Sequence, residues 1–342
     1  MNQKNVIAIQ IFFGFIFTLA ATLVLATISP TPTRAATGVA VIDQPLTIFE
    51  PAQNPTYPGE AIAAPARGEA FQSGDPLQHQ VFIPILFSQP HAPCNPSNGS
   101  GGLGVAPGDG KVLEVGGLQA SVVVGPGYDE SRPTYLAFFL HGDGGENWRR
   151  YAEKKNDVMT VFVNEHNWIL VAPQSPNGKS WWKDFNGNHI AKFQKVLDEM
   201  FDKYNLCRNT MFGSSGSGGG VFWSGQFFPE KGGDYPAHTV LACGASGGSS
   251  SDKKKLKAIA KDPEVVKNST FYHVYGSEDK TVPPHLIEAN MAMYREAGFT
   301  VKSEKLEGAG HCNKWVEQGF PRMHDQIAAK WEEMARELKI IQ

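Results

Sequence analysis

Between Cys207 and Gly225 the chain reads CRNTMFGSSGSGGGVFWSG. A short apolar run (Thr210, Met211, Phe212) meets a dense cluster of Gly and Ser, and Val221 to Phe228 is patterned as an amphipathic helix. A strand, a tight turn holding a serine, and a helix make a nucleophile elbow. The strained turn exposes the serine Oγ, and the residues two before and two after it must be small because strand and helix pass closely there. Two registers meet this requirement. One is centred on Ser217 (Ser215-Gly216-Ser217-Gly218-Gly219) and the other on Ser215 (Gly213-Ser214-Ser215-Gly216-Ser217), each with one flanking Gly of G-x-S-x-G replaced by Ser. With Ser217 as the nucleophile, Gly218 and Gly219 let the backbone turn sharply and Gly218 offers its N–H to an oxyanion. With Ser215, Gly213 is ideal but Ser217 falls at the crowded strand–helix contact, so Ser217 is favoured. A Gly/Ser-rich surface loop has the same composition, and the reading depends on whether the chain supplies the other parts.

A serine hydroxyl is a poor nucleophile until an imidazole takes its proton, and that imidazole needs a carboxylate to fix its tautomer. Downstream, the apolar run Thr270 to Tyr275 is followed by Gly276-Ser277-Glu278-Asp279, which puts Asp279 in a tight turn after a buried strand. The run Thr300 to Leu306 is followed by Glu307-Gly308-Ala309-Gly310-His311-Cys312, which puts His311 in a small-residue loop after the next strand. The order Ser, Asp, His is the one such an elbow requires. His273 lies inside a strand and reads as structural, and neither His285 nor His324 follows a strand in a Gly-rich loop. Upstream, Thr134 to Leu140 runs into His141-Gly142-Asp143-Gly144-Gly145. A glycine-rich turn at a strand's carboxyl end frees backbone N–H groups for a developing oxyanion. The N–H groups of Asp143 and Gly218 are the expected pair. Trp181 and Trp182 lie in a loop on the same face as candidates to line a substrate cleft, with core packing expected for one of the pair.

The elements that must carry these residues alternate. KVLEV and LQASVVV flank Gly116-Gly117 as a hairpin, and strands are predicted at Thr134 to Leu140, Trp168 to Val171, His238 to Cys243, Thr270 to Tyr275 and Thr300 to Leu306. Helices are predicted at Glu146 to Asn164, His189 to Tyr204, Pro284 to Ala297 and Pro321 to Leu338. Strands alternating with helices predict an α/β domain, a mostly parallel central sheet covered by helices on both faces.

From about Lys111 to the end, the chain resembles the α/β-hydrolase superfamily, and within it secreted esterases of the polyhydroxybutyrate depolymerase and feruloyl esterase type. The matching pieces are FFLHGDGG, ILVAPQSPNGKSWW, SGSGGGVFWSG, GSEDKTVPP and GAGHCNKW. The elbow departs from the family's Gly-x-Ser-x-Gly, and residues 1–110 are not covered. The resemblance implies the α/β-hydrolase fold and carboxylic ester hydrolysis.

With 342 residues, 41% hydrophobic and 19% charged, the chain can bury a sizeable core. Its net charge of −3 and its lack of an aromatic-basic pattern argue against a nucleic-acid partner. Residues 1–35 hold a strongly apolar stretch, Val6 to Ile28, and a small-x-small site at Thr33-Arg34-Ala35. They read as a signal peptide or an N-terminal membrane anchor, either of which puts the remainder outside the cytoplasmic membrane. Residues 36–110 read as a Pro/Gly-rich extension or linker, with VFIPILF (Val81 to Phe87) an isolated strand or tether and 95–110 the clearest boundary, and 111–342 as the catalytic domain. Four cysteines in an exported chain favour disulfides, with three connectivities open, or buried thiols at Cys207 and Cys243. A bridge from Cys312 would pin the loop of His311. No C-x-x-C spacing is present, so no metal site is expected, and the triad chemistry requires no cofactor. The expected activity is an exported serine hydrolase acting on small or polymeric carboxylic esters. Amide or peptide hydrolysis by the same triad, and an inactive extracellular binding module on this fold, are the other readings.

Overall fold

A computed structural model describes residues 94–145, 147–183 and 188–341. The apolar stretch Val6 to Ile28, the Thr33-Arg34-Ala35 site and VFIPILF lie outside these residues. Eight strands form one sheet among them: β1 (Asp109–Val115), β2 (Leu118–Val124), β3 (Thr134–Leu140), β4 (Ile169–Pro173), β5 (Leu206–Gly216), β6 (Ala237–Ala242), β7 (Thr270–Gly276) and β8 (Thr300–Leu306). Their order is β1-β2-β4-β3-β5-β6-β7-β8; β2 is antiparallel to both β1 and β4, and every other pairing is parallel.

A strand buried on both faces must be apolar at every position rather than at alternate ones, and TYLAFFL is such a strand. Leu136, Phe138 and Leu140 join the core on one side of the sheet, while Tyr135, Ala137 and Phe139 join the core on the other. Helices cover both sides. On the first, Asn188–Lys203 packs Phe193, Val196, Leu197 and Met200 at helical spacing, with Phe222, Trp223 and Phe227 from the segment after β5. On the second, Val158–His166 and Met323–Glu337 bring Phe162, Ile327 and Trp331. Among the described residues no helix is long and apolar enough to cross a membrane.

The helix expected over Glu146 to Asn164 is broken. A single helical turn, Arg150–Glu153, ends at Lys154 in an extended conformation, and a new helix, Val158–His166, starts after Asp157. Asp157 causes the break: its Oδ1 accepts from Met159 N at 3.1 Å as an N-cap, and its Oδ2 pairs with Arg150 at 2.6 Å. The stretch 95–108 has no helix or strand of its own, yet it is packed on the sheet's end. Cys94 is bonded to Cys207 at the start of β5, Ser97 N donates to Leu206 O at 2.8 Å, and Val105 enters the core. The second bridge joins Cys243 to Cys312, so all four cysteines are paired.

Candidate active site

β5 sits centrally, paired with β3 on one side and β6 on the other. It extends through the Gly/Ser cluster as far as Gly216, and Ser217 then breaks it with φ 47° and ψ −118° before a helix starts at Gly218. A side-chain-bearing residue at such a φ is strained by on the order of 1–3 kcal/mol, and such strain concentrates where function fixes the geometry. The Ser217 N–H donates to Ala242 O at the end of β6 (2.9 Å), and its carbonyl accepts the first helical N–H groups, from Gly220 and Val221. Strand and helix approach so closely that a Cβ on Gly219 would lie 2.2 Å from Leu140 O. One on Gly244, beyond β6, would lie 1.9 Å from Ser217 O. Gly219→Ala is therefore expected to destabilise the fold by about 1–3 kcal/mol through overpacking. Thermal unfolding checks this, and a melting temperature equal to that of the parent chain would contradict the close contact.

The C-terminal ends of β7 and β8 bring the other two residues to this point. His311 Nε2 lies 3.0 Å from Ser217 Oγ, and its Nδ1 lies 2.7 Å from Asp279 Oδ2. The Asp279 carboxylate is wholly buried, and its Oδ1 accepts from the N–H groups of Thr281 (2.8 Å) and Val282 (2.9 Å). An ionised carboxylate held this way fixes the Nδ1–H tautomer of His311, leaving Nε2 to accept from the serine hydroxyl. Ser215, the alternative nucleophile, is the last-but-one residue of β5. It is buried, and its Oγ has no hydrogen-bond partner among the described residues.

The turn after β3 closes over the serine: a Cβ on Gly142 would lie 3.1 Å from Ser217 Cβ. Asp143 lies beside Gly218, with its Oδ1 2.6 Å from where a Gly218 Cβ would be. Among the described residues the N–H groups of Asp143 and Gly218 meet no acceptor. Side chains hold the turn. Asp143 Oδ1 accepts from Ser180 Oγ (2.7 Å) and Trp182 Nε1 (3.0 Å), and Gly144 N donates to Lys179 O (3.0 Å). The buried His141 imidazole bridges Gly142 O at Nδ1 (2.6 Å) and Ser175 N–H at Nε2 (2.9 Å). Burial pushes its pKa below the usual imidazole range, which suits an uncharged bridge. The roles of His141 and Ser180 have no sequence signature beyond proximity to Gly-rich turns.

The two tryptophans separate. Trp182 is half-buried beside Gly218 and Asp143, with its carbonyl held by Gln226 Nε2 at 2.9 Å. Trp181, named with Trp182 as a candidate for the cleft, is the one of the pair that packs in the core, fully buried with its ring 5.1 Å from Phe222 and 5.6 Å from Phe193. The helices beneath offer an aromatic socket to only one of the two, formed for Trp181 by Phe193 and Phe222. His273 is buried in β7, and His324 Nε2 lies 3.0 Å from Tyr151 Oη. Cys243 Sγ, Cys312 Sγ and a His311 ring nitrogen lie within 4.8 Å of one another. The sulfurs are bonded to each other and offer no thiolate to a metal.

No protein-family model and no curated protein matches this sequence. Among solved structures, a thermostable esterase is similar with a TM-score of 0.50 and 18% identity, over 67% of this chain and 62% of its own, so the likeness spans less than two thirds of that protein. Apo esterase 2 of Thermogutta terrifontis is similar at 12% identity and TM-score 0.48, over 68% and 96% of the two chains. Est1E from Butyrivibrio proteoclasticus is similar at 13% and 0.44, over 68% and 100%. The chain has the α/β-hydrolase fold.

Proposed function

We propose that this chain is an exported serine hydrolase that cleaves carboxylic esters through an acyl-enzyme on Ser217. The observation that carries the reading is the continuous hydrogen-bonded line from Asp279 through His311 to a strained, sheet-terminating Ser217. As Ser217 Oγ bonds to the ester carbonyl carbon, its proton passes to His311 Nε2, and the Asp279 carboxylate stabilises the imidazolium that forms. The carbonyl oxygen, now an anion, takes hydrogen bonds from the N–H groups of Asp143 and Gly218, each such donor being worth on the order of 10²–10³ in rate. His311 then returns the proton to the leaving alcohol, and water repeats the sequence to release the acid. Trp182, beside the oxyanion turn, supplies an apolar wall for a small-molecule or polymeric ester. The apolar stretch Val6 to Ile28 and the pairing of all four cysteines support an oxidising location outside the cytoplasm, secreted or anchored.

The test is covalent. The purified chain is treated with a fluorophosphonate, the adduct is located by mass spectrometry, and turnover is followed on short- and long-acyl esters and on the matching amides. A single adduct on Ser217 with faster ester than amide turnover is expected. An adduct on Ser215 overturns the assignment, and no adduct with no turnover points to a binding module.

A further inference from the structure

The sheet order sets His311 a problem of reach. Ser217 follows β5 and His311 follows β8, with β6 and β7 between them. Neighbouring strands are about 4.8 Å apart, so the base must lean across about 14 Å of sheet edge to meet its serine. Its own loop is hydrogen-bonded to nearby structure, and its Ala309 and Trp315 pack in the core. Glu278 N donates to Ala309 O (2.9 Å), Gly310 N to Gln318 Oε1 (2.8 Å) and Trp315 Nε1 to Gly310 O (3.0 Å). Each of these hydrogen bonds fixes the loop to the end of β7 or to itself.

The tie to the middle of the sheet is covalent. Cys312, the residue after His311, is bonded to Cys243, the residue after β6. Cys243 is fixed in turn: its N–H donates to Val274 O on β7 (2.8 Å), its backbone has φ 49°, and it is fully buried. The next residue, Gly244, lies against the Ser217 carbonyl so closely that it cannot carry a Cβ. Cys243 Sγ also touches the reacting side of the base, 3.9 Å from His311 Nε2. A left-handed φ on a residue with a side chain is strained and persists only where the surrounding contacts hold it.

We propose that the Cys243–Cys312 disulfide is the positioning device of the catalytic base, and that its reduction disengages His311 from Ser217 and switches hydrolysis off reversibly. The proposal rests on the serine-hydrolase reading above. Reduction is a two-electron exchange: a dithiol gives two electrons and two protons to the S–S bond, which breaks into the Cys243 and Cys312 thiols, while the reductant closes to its own disulfide. Cys312 is only partly buried, so a small dithiol has access from that side. A displacement of about 1 Å at a reacting group costs on the order of 10²-fold in rate. Cys243 and Cys312 themselves touch no substrate.

The experiment compares two double variants of the full chain, Cys243→Ala/Cys312→Ala and Cys94→Ala/Cys207→Ala. For each, kcat and KM are measured on a soluble ester, and the far-downfield Nδ1 proton of His311 is followed by NMR. Loss of the Cys243–Cys312 bridge is expected to lower kcat by about 10²-fold with KM little changed, and to move or broaden the Nδ1 resonance. Loss of the Cys94–Cys207 bridge is expected to leave both in place. In the Cys94→Ala/Cys207→Ala protein, which keeps only the bridge beside the base, dithiothreitol should remove activity before any circular-dichroism change, and reoxidation should restore it. Unchanged kcat and resonance after that bridge is removed or fully reduced would overturn the proposal, as would equal losses in the two variants. If the parent chain hydrolyses no ester, the hydrolase reading fails on its own, and the Nδ1 resonance still reports whether the bridge positions His311.

Discussion

Ser217→Ala is expected to lower kcat by as much as about 10⁶-fold, the scale of removing the nucleophile from a working triad. Asp279→Asn should cost about 10⁴-fold by turning His311 into the wrong tautomer. Ser215→Ala should leave kcat near the parent value and leave the melting temperature equal or slightly higher. The contrast follows from the surroundings of two serines separated by a single residue. Ser217 Oγ lies 3.0 Å from His311 Nε2 at the strained end of β5. Ser215 Oγ is buried without a partner, and removing an unpartnered buried hydroxyl relieves a desolvation cost rather than breaking a bond. Steady-state assays of the purified variants check this. A Ser215→Ala chain as inactive as Ser217→Ala would show that the elbow works in the other register.

Acid is the second large lever. Burial pushes the pKa of His273 down to about 3, with Arg295 adding to the effect, and burial pushes His238 down to about 4. His324 is also pushed down to about 4, by burial first and then by Arg150 and Arg322, which outweigh Asp157. In the unfolded chain these imidazoles regain an ordinary pKa near 6.5. Between about pH 6 and 4 the unfolded state therefore binds protons that the folded state refuses, so stability is full above the unfolded value and is lost as pH falls. Each group contributes up to about 1.4 kcal/mol per pH unit, and the three together about 4. The melting temperature should fall steeply over that interval. His273→Leu should flatten the fall, because among the described residues neither ring nitrogen of His273 has a partner to lose. Equal pH slopes in parent and variant would remove His273 from the explanation.

Much of this architecture was legible because the sheet is parallel and buried. Runs such as TYLAFFL read as buried strands, and β3 and the helix Pro284–Ala297 begin and end where expected, as does the edge strand β8 although it buries only Leu306. The elements that escaped notice are those whose apolar pattern is faint. The helix Ser250–Ile259 buries only Leu256 and is specified instead by a capping box between Ser249 and Asp252. Pro263–Lys267 buries only Val265 and starts from an Asp262 cap followed by proline. β5 runs further than its apolar stretch because residues 213–216 are small enough to be pressed between β3 and β6. The strand ends that carry Asp279 and His311 could be read from short Gly-rich segments. The sidedness of Trp181 against Trp182, the holding of Asp143 by Ser180, and the cysteine pairing depend on contacts between distant segments that no local pattern encodes.

The pairing has a consequence for how the chain is made. Cys94 joins Cys207 and Cys243 joins Cys312, so the first cysteine to be synthesised bonds the second and the third bonds the fourth, across separations of 113 and 69 residues. The two loops neither cross nor nest. Oxidation of cysteines in their order of emergence, each new thiol captured by the one still waiting, yields the native set directly. Biogenesis then has no need of disulfide reshuffling, and the bridge beside His311 closes only after the whole sheet has been delivered.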